Sequence, residues 1–261
     1  IMMMLSGHNV WVSMLAATGA GLLAGLATGI FHTFMGIPAI LAGILTQLSL
    51  YSVNLKIMGK ANQAINVDKF NLLVSLRRVK GVALTQNTLF IVAIMIIILI
   101  AVLYWFFGTE LGCSLRATGC NPSMSRAQGI NTDRNKVLGL MLSNGLVALS
   151  GALLTQYQGF ADINMGRGSI VIGLAAVIIG EVIGDAVFGK HMNFALRMLF
   201  AAVGAIIYYI VITFVLWLGL PSDDMKLFSA IVVAIFLAVP YLKGKYNTSF
   251  AKAAKNSKRC C

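Results

Sequence analysis

Charge is what this sequence has least of. Only 11% of its 261 residues are Asp, Glu, Lys or Arg, and just 8 are acidic. Soluble chains are about 25% charged and about 45–50% apolar. Here 59% of residues are hydrophobic and the mean hydropathy is +0.87, which excludes an ordinary soluble domain. Cysteines number four, too few and too badly spaced for a disulfide framework. Cys113 and Cys120 fall in a polar stretch assigned to the reducing cytoplasm. Cys260 and Cys261 end the chain, where such a pair reads as a lipid site or an uninformative tail. No phosphate loop G-x-x-x-x-G-K-[S/T] occurs. Lys60, Lys190 and Lys245 each follow a glycine but lack the rest of the motif, so the chain cannot hydrolyse ATP by that route. No signal peptide is visible, since MMML after Ile1 is short and lacks a basic n-region. There is no convergent catalytic set and no metal-ligand cluster, so no catalytic residue, metal or cofactor is expected.

What the chain has in abundance is apolar runs of about 20 residues, the length that crosses a bilayer. The expected fold class is therefore all-α, a polytopic helical membrane protein. Seven spans are expected: Val10 to Phe31, Ala39 to Met58, Thr88 to Phe107, Val137 to Gln156, Ile170 to Val187, Phe194 to Leu218 and Met225 to Leu242. The domain division is a transmembrane part at 1–242 and a basic tail at 243–261. The net charge of +12 suggests nucleic acid on its own. The basic residues, however, lie at the ends of apolar runs, so membrane topology explains them and no nucleic-acid partner is expected.

Several spans carry small or polar residues. Ala17, Gly21, Gly25 and Gly29 recur every four residues in span one, a smooth ridge suited to close packing against another helix. Ala176, Gly180 and Gly184 repeat the spacing in span five. In span two Gln47, Ser49, Ser52 and Asn54 either line a solute path or bond between helices. Gln47 and Asn54, with Ser143 and Asn144 of span four, are the candidate translocation-path residues. Glu181 and Asp185 lie one turn apart near the end of span five, and read as a hydrated helix end, or as ion coupling or acid–base chemistry. Residues 59–87 are polar and basic, and FNLLVSLRRVKG within them has the make-up of an interfacial amphipathic helix.

The stretch Glu110 to Gly151 is the longest polar interruption in the C-terminal half. Gly119 is expected to end one helix. Asn121 is placed to cap the next, with Pro122 at its first position. That short helix would run from Pro122 to Gln128, closed by Gly129 and followed by the apolar Ile130. Asn131, Thr132 and Asp133 offer caps for a further helix beginning near Asn135. The residues alone leave open an ordinary basic loop.

The sequence LRATGCNPSMSRAQGI within this stretch resembles the cytoplasmic coupling segment of permease subunits of bacterial ABC importers. The resemblance is to the branched-chain amino acid and ribose permease branch, and within it to the single-permease group with LRATG-x-NP-x-M followed by a GI pair. It extends through SNGLVALSGALLTQYQGFADINMGRGSIVIGLAAVIIGE to MKLFSAIVVAIFLAVP, and more weakly through IPAILAGILTQLSLYSVNLKIMGKAN. Cys120 departs from it, since members commonly carry an acidic or amide residue there. The resemblance implies a non-catalytic subunit that passes a small solute, an amino acid and in the nearest group an aromatic one, across a bacterial cell membrane. It implies a cytoplasmic ATP-binding subunit, an external or lipid-anchored substrate-binding protein, and a second permease copy. Residues 110–136 would be the coupling segment, with Arg116, Asn121, Pro122, Arg126, Ala127, Gly129 and Ile130 as its ATPase-coupling residues. Arg126 would meet an acidic groove, Ala127 would allow close approach and Gly129 would set the angle. Such permeases usually have further segments before the equivalent of Trp11, so an incomplete N-terminus is expected. The alternative function is an ion-coupled secondary carrier, which calls for ionisable residues at mid-membrane.

Charge bias orients the chain. With the tail in the cytoplasm, Arg116, Arg126, Arg134, Lys136, Lys190, Arg197 and the six tail residues are inside, 12 of the 20 basic residues. The acidic loop at Asp223 then lies outside. So does the basic stretch Gly59 to Asn87, which runs against the rule.

Overall fold

The structure, a computed structural model, describes residues 1–65, 74, 88–166, 169–188, 193–217 and 234. Two compact units divide the chain, Ile1–Met165 and Gly166–Cys261.

The first unit opens with α1 (Met2–Leu5), then α2 (Val10–Thr33) and α3 (Ala39–Met58), joined through a turn at Pro38. A short strand β1 (Asn62–Ala64) follows. After the interval come α4 (Thr88–Gly108), α5 (Glu110–Cys120), α6 (Pro122–Ala127) and α7 (Thr132–Gln158). Strand β2 (Phe160–Asp162) pairs antiparallel with β1, with Gln63 opposite Ala161. The strand pair ties the C-terminal ends of α3 and α7 together.

The centre of this unit is the seam between α2 and α7. The glycine ridge expected from the sequence lies in it. A Cβ built on Gly21 would collide with Ala148 and the Asn144 backbone, one on Gly25 would stand 2.5 Å from the Leu140 carbonyl oxygen, and one on Gly29 would stand 3.0 Å from Val137. The pairing order reverses between the helices, so they run antiparallel. Without side chains between them the two backbones approach closely enough for dispersion to hold them, the main source of helix association where lipid removes the hydrophobic drive. Thr28 and Thr46, both buried, join α2 to α3 through a 2.9 Å hydroxyl–hydroxyl bond. By contrast α4 is apolar all round, and only Thr88 and Leu103 in it are buried. A helix of that kind suits a lipid-facing position.

The second unit contains α8 (Ser169–Phe188) and α9 (Phe194–Trp217). Small residues again set the contact. A Cβ on Gly180 would meet the Phe200 carbonyl, and one on Gly204 would meet that of Ala176. Ala175, Ile179, Tyr208 and Ile212 form the buried core beside it.

Among the described residues five helices are long and apolar enough to span a membrane: α2, α3, α4, α7 and the Phe194–Phe214 part of α9. The two expected spans not among these five are Ile170 to Val187, in α8, and Met225 to Leu242. Glu181 and Asp185, both exposed, lie toward the C-terminal end of α8, which is otherwise apolar. All of the expected span Met225 to Leu242 but residue 234 lies outside the described residues, as do the tail, the acidic loop at Asp223 and nearly all of 66–87.

Candidate functional site

The bracketed short helix is present, with one correction. Gly119 does not end α5, which continues through Cys120. The break falls at Asn121, which is extended at φ −151° and ψ 97°. Pro122 explains the shift, because its ring disfavours helical backbone in the residue before it. Asn121 therefore closes α5 and caps α6, its Oδ1 accepting from the Met124 amide at 3.1 Å. At the far end Gly129 takes φ +80°, open to glycine without strain. The Ile130 amide then donates to the Ser125 carbonyl and the Gly129 amide to that of Arg126, both at 3.0 Å. These bonds use up carbonyls that the end of α6 would otherwise leave unpaired. Ala127 is the last helical residue and Gln128 the cap, one residue earlier than expected.

Also earlier than expected is the start of α7, at Thr132. Asn131 caps it, its Oδ1 accepting from the Asp133 and Arg134 amides at 3.2 and 3.1 Å. With only Gln128 to Asn131 between α6 and α7, the turn is short and every residue in it has a defined job. Arg126 spans it. Its Nε donates to Thr132 Oγ1 at 2.7 Å, and Nη2 reaches Asp133 Oδ1 at 3.3 Å. Lys136 stands 3.6 Å from the same carboxylate. Both side chains of the Arg126–Asp133 pair are more than half exposed, so the pair orients more than it stabilises. Behind the turn Asn135 is buried. Its Nδ2 donates to Ser114 Oγ at 2.7 Å and Thr118 Oγ1 at 2.9 Å, fastening α7 to α5. Pro122, Ser123, Met124, Arg126 and Ala127 remain exposed, as does Arg116 on α5, and only Ser125 of α6 is buried. The fold thus presents a small helix outward on a firmly tied base.

The candidate path residues do not converge. Gln47 and Ser143 are exposed on α3 and α7. Asn144 lies in the α2–α7 seam and donates to its own helix at the Leu140 carbonyl, 2.9 Å away. Asn54 alone lines a cavity, of about 340 Å³, between the start of α2 and the ends of α3 and α7. Gln156, Asp162, Thr155 and Ser13 share its wall. Gln156 is 2% exposed, and its Oε1 has no hydrogen-bond partner. The sequence reading passed over Gln156 as the last residue of a span. The available signal was its place on the small-residue face of α7, since at helical pitch Gly145, Ala152 and Gln156 fall on one stripe. Asn135 was missed in the same way. Glu181 and Asp185 gather no further ligand, and no group of three or more metal-binding side chains exists among the described residues.

Cavity and α6 lie at opposite ends of α7, whose 27 residues measure about 40 Å at 1.5 Å each. The hydrocarbon layer is about 30 Å thick, so the two features belong to opposite membrane faces.

Apolar helices of spanning length, packed through small residues and broken by a polar helix pair at one end, define a multi-pass membrane protein. The family profile described as the permease component of branched-chain amino acid transport systems matches residues 1–240, and the chain belongs to that family of ABC-type importer permeases. It is 39% identical over 247 residues to a tyrosine transport system permease protein of Clostridioides difficile, covering 95% of this chain and 77% of that one. It is 27% identical over 239 residues to the galactofuranose transporter permease protein YtfT of Escherichia coli, covering 91% and 66%. The fructose import permease protein FruF of Bifidobacterium longum is 26% identical over 231 residues, covering 88% and 62%. No solved structure matches.

Proposed function

We propose that this chain is the membrane-spanning subunit of an ATP-driven importer of an amino acid, tyrosine being the first to test. The observation that carries the reading is the 39% identity, over 95% of the chain, to a permease named for tyrosine transport. The sugar permeases stand well below that, at 26% and 27%.

In this reading α6 faces the cytoplasm and seats in a groove of a separate ATP-binding subunit. Exposed Met124 and Ala127 give close apolar contact, while Arg116 and the free edge of Arg126 meet acidic groove residues. Asn121, Pro122, Gly129 and Ile130 hold the helix at its angle. A binding protein, free or lipid-anchored, delivers solute at the opposite face, and a second copy of the permease completes the path. The orientation follows from the basic residues 116, 126, 134 and 136, which cluster at the α6 end. With α8 and the stretch Met225 to Leu242 also crossing, the C-terminal tail is cytoplasmic and Asp223 lies outside. The membrane is a bacterial cytoplasmic membrane.

The test is reconstitution of the complete permease with its ATP-binding subunit and cognate binding protein in proteoliposomes. ATP-dependent uptake of radiolabelled tyrosine or another amino acid, with no uptake of fructose, is the expected result. Uptake of a sugar without any amino acid would overturn the substrate class. Uptake driven by an ion gradient without ATP would overturn the coupling.

A further inference from the structure

We propose that Thr132 and Asp133 are positioning residues for energy coupling. Together they hold the Arg126 guanidinium, and through it they fix α6 to α7, so that motion of the ATP-binding subunit turns α7 and is not lost at the joint. The proposal deepens the importer reading above and rests on it. The bonds around the joint fall into two separate sets. On one side the Gln128, Gly129 and Ile130 amides donate back into α6, to the carbonyls of Met124, Arg126 and Ser125. On the other side Asn131 belongs to α7, accepting from Asp133 and Arg134 at its side chain and from Asn135 at its carbonyl. Among the described residues no backbone bond crosses from one set to the other. The chain between Ile130 and Asn131 would therefore swivel as a hinge, since a few loop residues suffice to absorb a change of angle. Among the described residues every hydrogen bond that crosses from α6 to α7 comes from one side chain, Arg126.

The chemistry of this grip explains why it takes two partners. Nε and Nη2 lie on one edge of the planar guanidinium and reach two consecutive residues of α7. Two donors fixed in one plane set direction as well as distance, so α6 cannot turn against α7 without breaking one of the bonds. The two acceptors do different work. Thr132 is 2% exposed, so packing at the start of α7 holds its hydroxyl still, and the 2.7 Å bond from Nε lands on a fixed point. Asp133 is more than half exposed, and its ion pair adds little to stability. Its carboxylate is nonetheless kept in place, by the first turn of α7, where negative charge is favoured, and by Lys136 at 3.6 Å. The grip uses Nε and Nη2 and leaves Nη1 for the groove of the ATP-binding subunit.

The experiment uses the complete permease reconstituted with its ATP-binding subunit and binding protein. Two quantities are measured apart: the affinity of the ATP-binding subunit for the permease, and the radiolabelled amino acid, tyrosine first, taken up per ATP hydrolysed. Thr132→Val keeps the shape and loses the acceptor, whereas Thr132→Ser keeps the hydroxyl and loses the methyl group. Thr132→Val and Asp133→Ala should each lower uptake per ATP by about threefold or more, the equivalent of one ordinary hydrogen bond, while subunit affinity stays within about twofold. Thr132→Ser should stay near the wild type. A side chain that only fills space would show the reverse order, because Val replaces the buried Thr132 more closely than Ser does. In the permease alone, freed of its native cysteines, nitroxide labels at the exposed Ser123 of α6 and Val147 of α7 report the grip directly. Their distance distribution should broaden in Thr132→Val and not in Thr132→Ser. Asp133→Ala, on an exposed residue, covers the case in which Thr132→Val fails to fold. Unchanged uptake per ATP in the folded variants would overturn the proposal, as would equal losses in the Val and Ser variants or an unchanged distance distribution in Thr132→Val. A fall in subunit affinity with uptake per ATP unchanged would overturn it too, by showing that the pair only presents Arg126 to the groove. In each of these cases ATP-dependent uptake by the wild-type complex would leave the importer reading standing. Absence of ATP-dependent uptake in the wild type would instead remove that reading, and the coupling role with it.

Discussion

Two glycines six residues apart in α2 make opposite demands. At Gly25 an added Cβ would stand 2.5 Å from the Leu140 carbonyl oxygen and 2.6 Å from Met141 Cα. Both are backbone atoms on a packed helix, and neither can swing aside. Carbon atoms rest about 3.5–4.0 Å apart, so α2 and α7 must part by about 1 Å at the point of contact. A gap of that size forfeits about a quarter to a half of each dispersion contact along the neighbouring turns. Overpacking of this kind costs about 1–3 kcal/mol, offset in part by the roughly 1 kcal/mol that alanine gains over glycine within a helix. At Gly19 nothing lies within 4 Å of the added carbon. There only the helix preference remains, and the substitution should be neutral or stabilising by up to about 1 kcal/mol. Gly25→Ala should therefore lower the thermal midpoint of the detergent-purified protein by several degrees relative to Gly19→Ala, followed by tryptophan fluorescence. At about 2–4 °C per kcal/mol for a chain of this size the difference is measurable. Gly25→Leu should go further and reduce the yield of folded protein. Equal midpoints for Gly19→Ala and Gly25→Ala would refute the close-contact seam.

Asn135→Ala removes both hydrogen bonds to Ser114 and Thr118 and should cost about 1–3 kcal/mol in the same unfolding assay; an unchanged midpoint would show that α5 and α7 are held by packing alone. For topology, single cysteines replacing Asn121 and Lys252 should be labelled only from the cytoplasmic side, and one replacing Asp223 only from outside. Labelling of position 223 from the cytoplasm would reverse the proposed orientation. Gly129→Val forces a β-branched residue to φ +80°, and Arg126→Glu sets a second carboxylate beside Asp133. Both should leave insertion intact and impair ATPase docking or substrate-stimulated hydrolysis in the reconstituted complex, and normal coupled transport in both would show that α6 is only a connector.

The readable parts of the fold were those fixed by local chemistry. Span positions follow from apolar runs, and α2, α3 and α4 lie close to where those runs fall. The glycine ridge announced a close contact but not its partner, because a smooth face fits any helix. Pro122 shows the limit of reading residues singly. Gly119 has the freedom to end a helix, yet the steric demand of Pro122 on Asn121 decides where the break falls. Asn135 and Gln156 were illegible for a different reason. Each is an amide near a span end, where exposure to water is the ordinary expectation. Only the tertiary fold buries them, one facing two hydroxyls and the other facing nothing. Among the path candidates, polarity within a span did not tell seam from surface from cavity, and Asn144, Gln47 and Asn54 fall in one of each.

The connections around α6 bear on how the proposed importer passes motion across the membrane. A flexible joint between α6 and α7 would let the ATP-binding subunit move its groove without consequence. Here the joint is four residues long and bonded throughout: Gly129 and Ile130 close α6, Asn131 opens α7, and Arg126 bridges the two. Asn135 adds α5 to the same body. A displacement of α6 is therefore carried into α7, a helix about 40 Å long whose far end holds Gln156 and the cavity wall. Along the way α7 meets α2 at three glycines, backbone against backbone at Gly25, through the Ala148 methyl and the Asn144 carbonyl at Gly21, and through Val137 at Gly29. Packed contacts of that kind move as units or exchange one arrangement for another, since close-packed interiors deform little. The same small residues that let the seam close thus leave little slack in it, so a shift of α7 is passed to α2.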